Sequence, residues 1–296
     1  MTHPLISARD LVAARQERNI VLLDATARLP GDQTDPEKAF VSAHLPGARR
    51  FDIEKFSDPE NSLPHMIPSA ARFARLAGEL GLTHDTEIVF YDQGNIAPSC
   101  RAWWLARLFG HEQVSVLDGG LPAWQAAGAG IETGLPRPPV CEKYETRMNV
   151  RLLRGLGDVL ALCSTPGEAA ILDARSRGRF EGSAPEPRPG LSSGHIPGSA
   201  NLPFSELLTP ERLFLPPYAL RTRFVEAGAD GTRPIVATCG SGMTAAVIVF
   251  AAEIASLGPA SLYDGSWAEW AATPEAPIEK TVSPESIPGP DSEKSR

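Results

Sequence analysis

Pro234-Ile235-Val236-Ala237-Thr238-Cys239-Gly240-Ser241-Gly242-Met243-Thr244 is the stretch on which the reading of this chain turns. An apolar run ends in a cysteine and a glycine-rich loop follows. A long Ala/Val/Ile-rich run from Ala245 to Leu257 then stops at Gly258. The pattern predicts strand, tight loop and helix. A cysteine at that place faces the amino end of a helix, where unpaired N–H groups and the helix dipole favour negative charge. A thiolate is such a charge, so the position favours the ionised, nucleophilic form. Gly240 and Gly242 let the loop curl without Cβ clashes, so that several N–H groups can turn toward the sulfur. The plainer alternative is a small buried residue at a strand end. A reacting cysteine must also meet a cleft.

Working outward, the same order of blocks occurs twice. Val21-Leu22-Leu23-Asp24-Ala25 matches Ala170-Ile171-Leu172-Asp173-Ala174-Arg175, and His44-Leu45-Pro46-Gly47 matches His195-Ile196-Pro197-Gly198. Glu87-Ile88-Val89-Phe90-Tyr91 matches the strand before Cys239, and helical runs then reach Gly110 and Gly258. Val116-Leu117-Asp118-Gly119-Gly120 with Trp124 matches Leu262-Tyr263-Asp264-Gly265-Ser266 with Trp270. The offset stays at roughly 146 to 151 positions throughout, which marks two copies of one domain. Strands alternating with helical segments imply an α/β domain with a mostly parallel sheet, whose ligand sites lie beyond the carboxyl ends of the strands. The expected division is 1–133, a Pro-rich linker at 134–150, 151–280, and a disordered tail at 281–296. Asp92 falls opposite Cys239, so the first copy lacks the nucleophile and reads as a structural descendant or as a wall of the site.

Composition narrows the function. A formal net charge of −8 with no basic cluster argues against a nucleic-acid partner. Cys100, Cys141, Cys163 and Cys239 form no Cys-x-x-Cys pair and no disulfide framework, which argues against a metal site and for a reducing, cytoplasmic location. The first ten residues carry no signal-peptide pattern and no run is long enough to span a membrane.

Taken together, the two copies, the cysteine confined to the second, the His-x-Pro-Gly turns and the Asp-Gly…Trp endings resemble the tandem rhodanese-domain sulfurtransferases. The loop is similar to that of the 3-mercaptopyruvate branch, Cys-Gly-Ser/Pro-Gly-Val-Thr, with Met243 where valine is usual. The thiosulfate-preferring branch usually carries Arg and Lys where this chain has Gly240 and Ser241. The resemblance implies two rhodanese-like α/β domains. It also implies sulfur transfer from 3-mercaptopyruvate, or alternatively thiosulfate, to a thiol, thioredoxin or cyanide through a Cys239 persulfide, with no metal or organic cofactor. Arg179 and Arg188 match the family's carboxylate-binding arginines, and an arginine fork suits a monocarboxylate. Gly240, Gly242, Met243 and Thr244 complete the substrate loop. Thr244 would donate to the sulfur or cap the helix. The resemblance further implies a Ser-His-acid relay. Ser241 matches its serine and His44 its histidine. The acid, eleven positions earlier, would be Gln33, so Asp32 or Asp35 beside it would have to serve. The alternative for His44 is a turn-capping role, since His195 holds the same place in the other copy.

Two other classes compete. Phosphatase chemistry on a related fold needs a Cys-x5-Arg loop, and this chain has Ala245 at the arginine's place. A non-enzymatic carrier fits the first copy taken alone but not the second.

Overall fold

The structure, a computed structural model, describes residues 3–281. All but one residue of the expected tail lies outside them.

In the first copy the strands are β1 (Leu5–Ile6), β2 (Ile20–Asp24), β3 (Arg49–Arg50), β4 (Glu87–Tyr91) and β5 (Val114–Leu117). Its helices are α1 (Ala8–Glu17), α2 (Pro36–Ser42), α3 (Ala70–Glu79), α4 (Ala97–Leu108) and α5 (Gly120–Ala126). The second copy repeats the order with β6 (Leu153–Arg154), β7 (Ala170–Asp173), β8 (Ala200–Asn201), β9 (Ile235–Thr238) and β10 (Ala260–Tyr263). Its helices are α6 (Leu156–Ser164), α7 (Arg177–Glu181), α8 (Pro217–Glu226), α9 (Ala245–Ile254) and α10 (Ser266–Trp270). The sheets run β1-β5-β4-β2-β3 and β6-β10-β9-β7-β8, and every pairing is parallel. Sheets buried on both faces read as continuous apolar runs, as these strands do. The fold class is therefore two tandem α/β domains with parallel sheets flanked by helices.

The copies are not separate beads. α4 and α9, each following the central strand of its sheet, are buried nearly all round. A helix apolar on every side belongs inside a molecule, and these two cover one another. Trp103 of α4 meets Phe250 of α9 edge-on at 4.8 Å, and one apolar cluster runs through both copies. α9 stops at Ile254, three residues short of the expected run, with Ser256 at φ +52° turning the chain toward β10.

The segment expected as a surface linker, 134–150, has no helix or strand before Val150, and Leu135 and Val140 are about four-fifths exposed. It is nonetheless fastened to the first copy. The Glu142 amide donates to Gly78 O at 2.9 Å, and Tyr144 packs edge-on against Phe73 while its hydroxyl meets His111 Nδ1. Gly78 must be glycine, because a Cβ there would fall 2.3 Å from Glu142 O.

Among the described residues no helix is long and apolar enough to cross a membrane.

Candidate active site

β9 delivers Cys239 to the carboxyl edge of the second sheet, and Thr244 opens α9. The two glycines of the loop serve different needs. Gly242 sits at φ +74°, where a Cβ would also meet Asp264 O at 2.9 Å and Arg101 Nη1 at 3.0 Å. Gly240 leaves room for guanidinium groups: a Cβ there would lie 2.9 Å from Arg179 Nη2 and 3.7 Å from Arg188 Nη1. Ser266 Oγ accepts from the amides of Cys239, at 3.2 Å, and Gly242, at 3.1 Å. The amides of Gly240, Ser241, Met243 and Thr244 have no protein acceptor among the described residues. Met243 is buried in the shared apolar cluster, and Thr244 makes no capping hydrogen bond.

Arg179 and Arg188 both come to Gly240, so the two arginines and the loop meet as expected. Among the described residues Arg188 has no ion-pair partner, whereas Arg179 is held by Glu186 at 2.6 Å. Burial lowers the Arg188 guanidinium below its ordinary value, against the opposing pull of Cys239. Cys239 itself is 1% exposed, so it does not open on a free cleft. The Arg179 and Arg188 side chains crowd Gly240, and the loop from Cys239 to Met243 is buried throughout.

Ser241 finds its histidine in the other copy, and it is not His44. Ser241 Oγ lies 3.1 Å from Nδ1 of His65, whose Nε2 lies 3.0 Å from Glu54 Oε1. A carboxylate on Nε2–H leaves Nδ1 as the acceptor for the serine hydroxyl. The bond to His65 holds the Glu54 carboxyl below its ordinary value of 4.5, with burial opposing and the fields of His65 and Arg188 helping. His44 instead bonds Phe40 O through Nδ1 at 2.9 Å and stacks on the Phe40 ring at 4.3 Å. His195 does the same with Phe180 O, at 2.8 Å, and with its ring, at 3.9 Å. The twin arrangement identifies the His-x-Pro-Gly histidine as a turn clasp, which corrects the relay expected of His44. Neither expected acid serves it. Asp32 is used by the Thr34 amide and hydroxyl, and Asp35 caps α2.

Three positions of this arrangement escaped the sequence reading. Glu54 and His65 do stand eleven positions apart, so the family spacing marks them once His65 is taken in place of His44. Nothing in the sequence singles out Arg101. Its side chain, 0% exposed, donates to His65 O, to Gly242 O at 3.3 Å and to Asp264 Oδ1 at 2.7 Å. Asp264 Oδ2 accepts from the Ile67 amide at 2.8 Å. One guanidinium from the first copy thus ties the cysteine loop to the turn that carries His65, whose backbone is at φ +61°.

The remaining cysteines lie apart. Burial, with Asp92 and Asp118 adding to it, pushes the Cys100 thiol well up, while Cys141 is exposed and Cys163 half-buried. No group of three His, Cys, Asp or Glu side chains among the described residues is arranged for a metal ion.

Two parallel five-stranded domains sharing one core, with a cysteine loop in the second only, define a tandem protein of the rhodanese class. The rhodanese-like domain family matches residues 7–127 and 157–273. The Escherichia coli K12 3-mercaptopyruvate sulfurtransferase is 40% identical over 261 residues, covering 88% of this chain and 92% of that protein. An Arabidopsis thaliana protein named thiosulfate/3-mercaptopyruvate sulfurtransferase 1, mitochondrial, is 36% identical over 302 residues, covering 95% of this chain and 79% of the relative. The crystal structure of SseA from Escherichia coli, described as a 3-mercaptopyruvate sulfotransferase of rhodanese fold, superposes with a TM-score of 0.81 at 35% identity, covering 90% of this chain and 99% of that one. This chain belongs to the tandem rhodanese-domain sulfurtransferases, in the 3-mercaptopyruvate branch.

Proposed function

We propose that this chain moves a sulfur atom from 3-mercaptopyruvate to a thiol, thioredoxin or cyanide through a persulfide on Cys239. The observation that carries the reading is the contact between Ser241 and His65, 3.1 Å apart, two residues from the loop cysteine and beside two arginines. Arg188 and Arg179 grip the donor carboxylate. The Cys239 thiolate attacks the donor sulfur. The carbon–sulfur bond breaks and its electron pair moves onto the methylene carbon, giving the enolate of pyruvate. The proton from the donor thiol passes through Ser241 and His65 to that carbon, with Glu54 holding the ring. Pyruvate leaves and Cys239 carries an anionic outer sulfur. The unpaired loop amides stabilise that charge as an oxyanion hole stabilises an alkoxide. The acceptor then attacks the outer sulfur, the sulfur–sulfur bond breaks, and the thiolate returns. Two half-reactions through a covalent intermediate give ping-pong kinetics.

Cys239 is 1% exposed, so a donor reaches it when the side chains beside Gly240 move, and Arg188, which has no ion-pair partner among the described residues, is less tethered than Arg179. Residues 1–133 then supply His65 and Glu54, and 151–280 supply the nucleophile and the arginines. Neither half is complete alone. Four unpaired cysteines favour a reducing compartment, the cytoplasm in this reading.

The name of the Arabidopsis relative favours thiosulfate as a second donor, by the same attack with sulfite leaving. The deciding experiment is a comparison of kcat/KM for the two donors, with intact-mass analysis of the donor-treated protein. A gain of one sulfur atom on Cys239 and faster use of 3-mercaptopyruvate are expected. Faster use of thiosulfate overturns the donor, and no gain of mass overturns the mechanism.

A further inference from the structure

The two arginines over Gly240 differ in charge balance. Glu186 grips Arg179 side-on, with Nε 3.1 Å from Oε1 and Nη2 2.6 Å from Oε2. The Glu186 side chain is 2% exposed and also accepts from Arg175 Nη1 at 2.8 Å. Arg175, 0% exposed, is tied in turn to Asp173 at 2.6 Å and lies 4.2 Å over the Trp267 ring. Burial works against the Arg175 charge, but Asp173 and Glu186 together hold it above its ordinary value. Asp173, Arg175, Glu186 and Arg179 therefore form a row of alternating sign whose charges cancel. Arg179 still offers Nη1 and its remaining Nη2 hydrogen, which have no protein acceptor among the described residues. Among the described residues Arg188 stands outside the row with no ion-pair partner, and the Glu54 carboxylate, bonded to His65, reaches it only through its field.

We propose that Glu186 determines donor specificity, acting through Arg179. It cancels the charge of that arginine while leaving its free N–H donors in place, so the two arginines offer two forks but one uncancelled positive charge between them. Such a site suits a monocarboxylate donor and disfavours a compact dianion, thiosulfate above all. The claim rests on the sulfurtransferase reading and adds the reason for its donor choice. A second net charge a few ångströms from the donor would favour a dianion over a monoanion by about tenfold or more at the effective dielectric of a partly buried site.

The test compares wild type and Glu186→Gln with 3-mercaptopyruvate and thiosulfate, cyanide being the acceptor. The ratio of kcat/KM for thiosulfate to that for 3-mercaptopyruvate should rise about tenfold or more, with Tm nearly kept because Arg175 retains Asp173. A merely structural Glu186 would weaken both donors alike. An unchanged ratio, or an equal loss for both, in a folded variant overturns the proposal. If the variant does not fold, wild type is titrated with pyruvate and with sulfate as competitors. Pyruvate binding at least as tightly as sulfate supports the proposal, and sulfate binding about tenfold tighter overturns it. A wild-type protein idle with both donors overturns the sulfurtransferase reading instead, and the pyruvate-against-sulfate titration still decides the charge balance.

Discussion

The loop after β4 and the loop after β9 occupy the same place in two copies of one fold, yet they hold their charge differently. In the first, Asp92 fills the loop with its own anion. Its Oδ1 accepts from the amides of Gly94, Asn95 and Ile96 at 2.8–3.0 Å, and its Oδ2 accepts from the Ser99 amide and hydroxyl. In the second, the same place carries a thiol, and four amides of the loop are left without a protein acceptor among the described residues. The fold makes an anion-holding turn in both copies. In the proposed mechanism, function depends on whether the chain occupies that turn permanently or leaves it for a sulfur that comes and goes. The helices behind the loops diverge too. α4 carries Arg101, which reaches into the other copy, while the same level of α9 is the apolar stretch Val247-Ile248-Val249.

Four experiments would break or sharpen this contrast. The largest effect belongs to the nucleophiles. Cys239→Ser should lower sulfur transfer by at least about 10⁴-fold, and Asp92→Cys should create no second persulfide, because among the described residues the cleft beside Gln93, Gly94 and Asn95 is lined by one arginine, Arg212, and by no histidine. Intact mass after donor treatment checks both, and a persulfide at position 92 would end the comparison.

The two histidines come next. His65→Ala should lower kcat by about 10²–10⁴-fold with little change in Tm. His44→Ala should lower Tm, because a buried clasp is lost, and leave the kcat of the folded fraction near wild type. Stopped-assay kinetics beside thermal melts separate the pair, and the reverse pattern would restore His44 to the relay.

Arg101→Met tests the tie between copies. Removing one partner of a buried pair leaves Asp264 uncompensated and should cost about 3–5 kcal/mol. Denaturant melts followed by fluorescence of each copy's tryptophans read that loss. Melting as stable as wild type would show that the shared apolar core alone joins the copies.

The smallest effect is Glu54→Gln, a loss of about tenfold in kcat through a less well-held ring. Because its carboxyl is held low in the folded protein, Glu54 stays ionised at neutral pH. Its contribution disappears only as pH falls through that depressed value, below 4.5. A pH–rate profile of wild type should therefore show any step from this group below pH 4.5 and none above it, and Glu54→Gln should remove that acid limb.

Read from the sequence alone, the repeated blocks determined the architecture, and the Cys-Gly-Ser-Gly-Met-Thr loop with its family resemblance singled out Cys239, Ser241 and the two arginines that the structure brings to one place. Those signals are local: apolar period, turn chemistry and contiguous motif survive in one dimension. The histidine was the opposite case. His44 has the stronger motif, yet His-x-Pro-Gly records a clasp that both copies need, whereas His65 lies in an irregular stretch that no periodicity marks. The burial of Cys239, the pairing of Ser241 with His65, the three-way reach of Arg101 and the cancelling row ending at Arg179 were decided only by tertiary structure. Each joins residues far apart in the chain. Their partners are chosen by how α4 packs on α9 and by which charges that packing leaves without water.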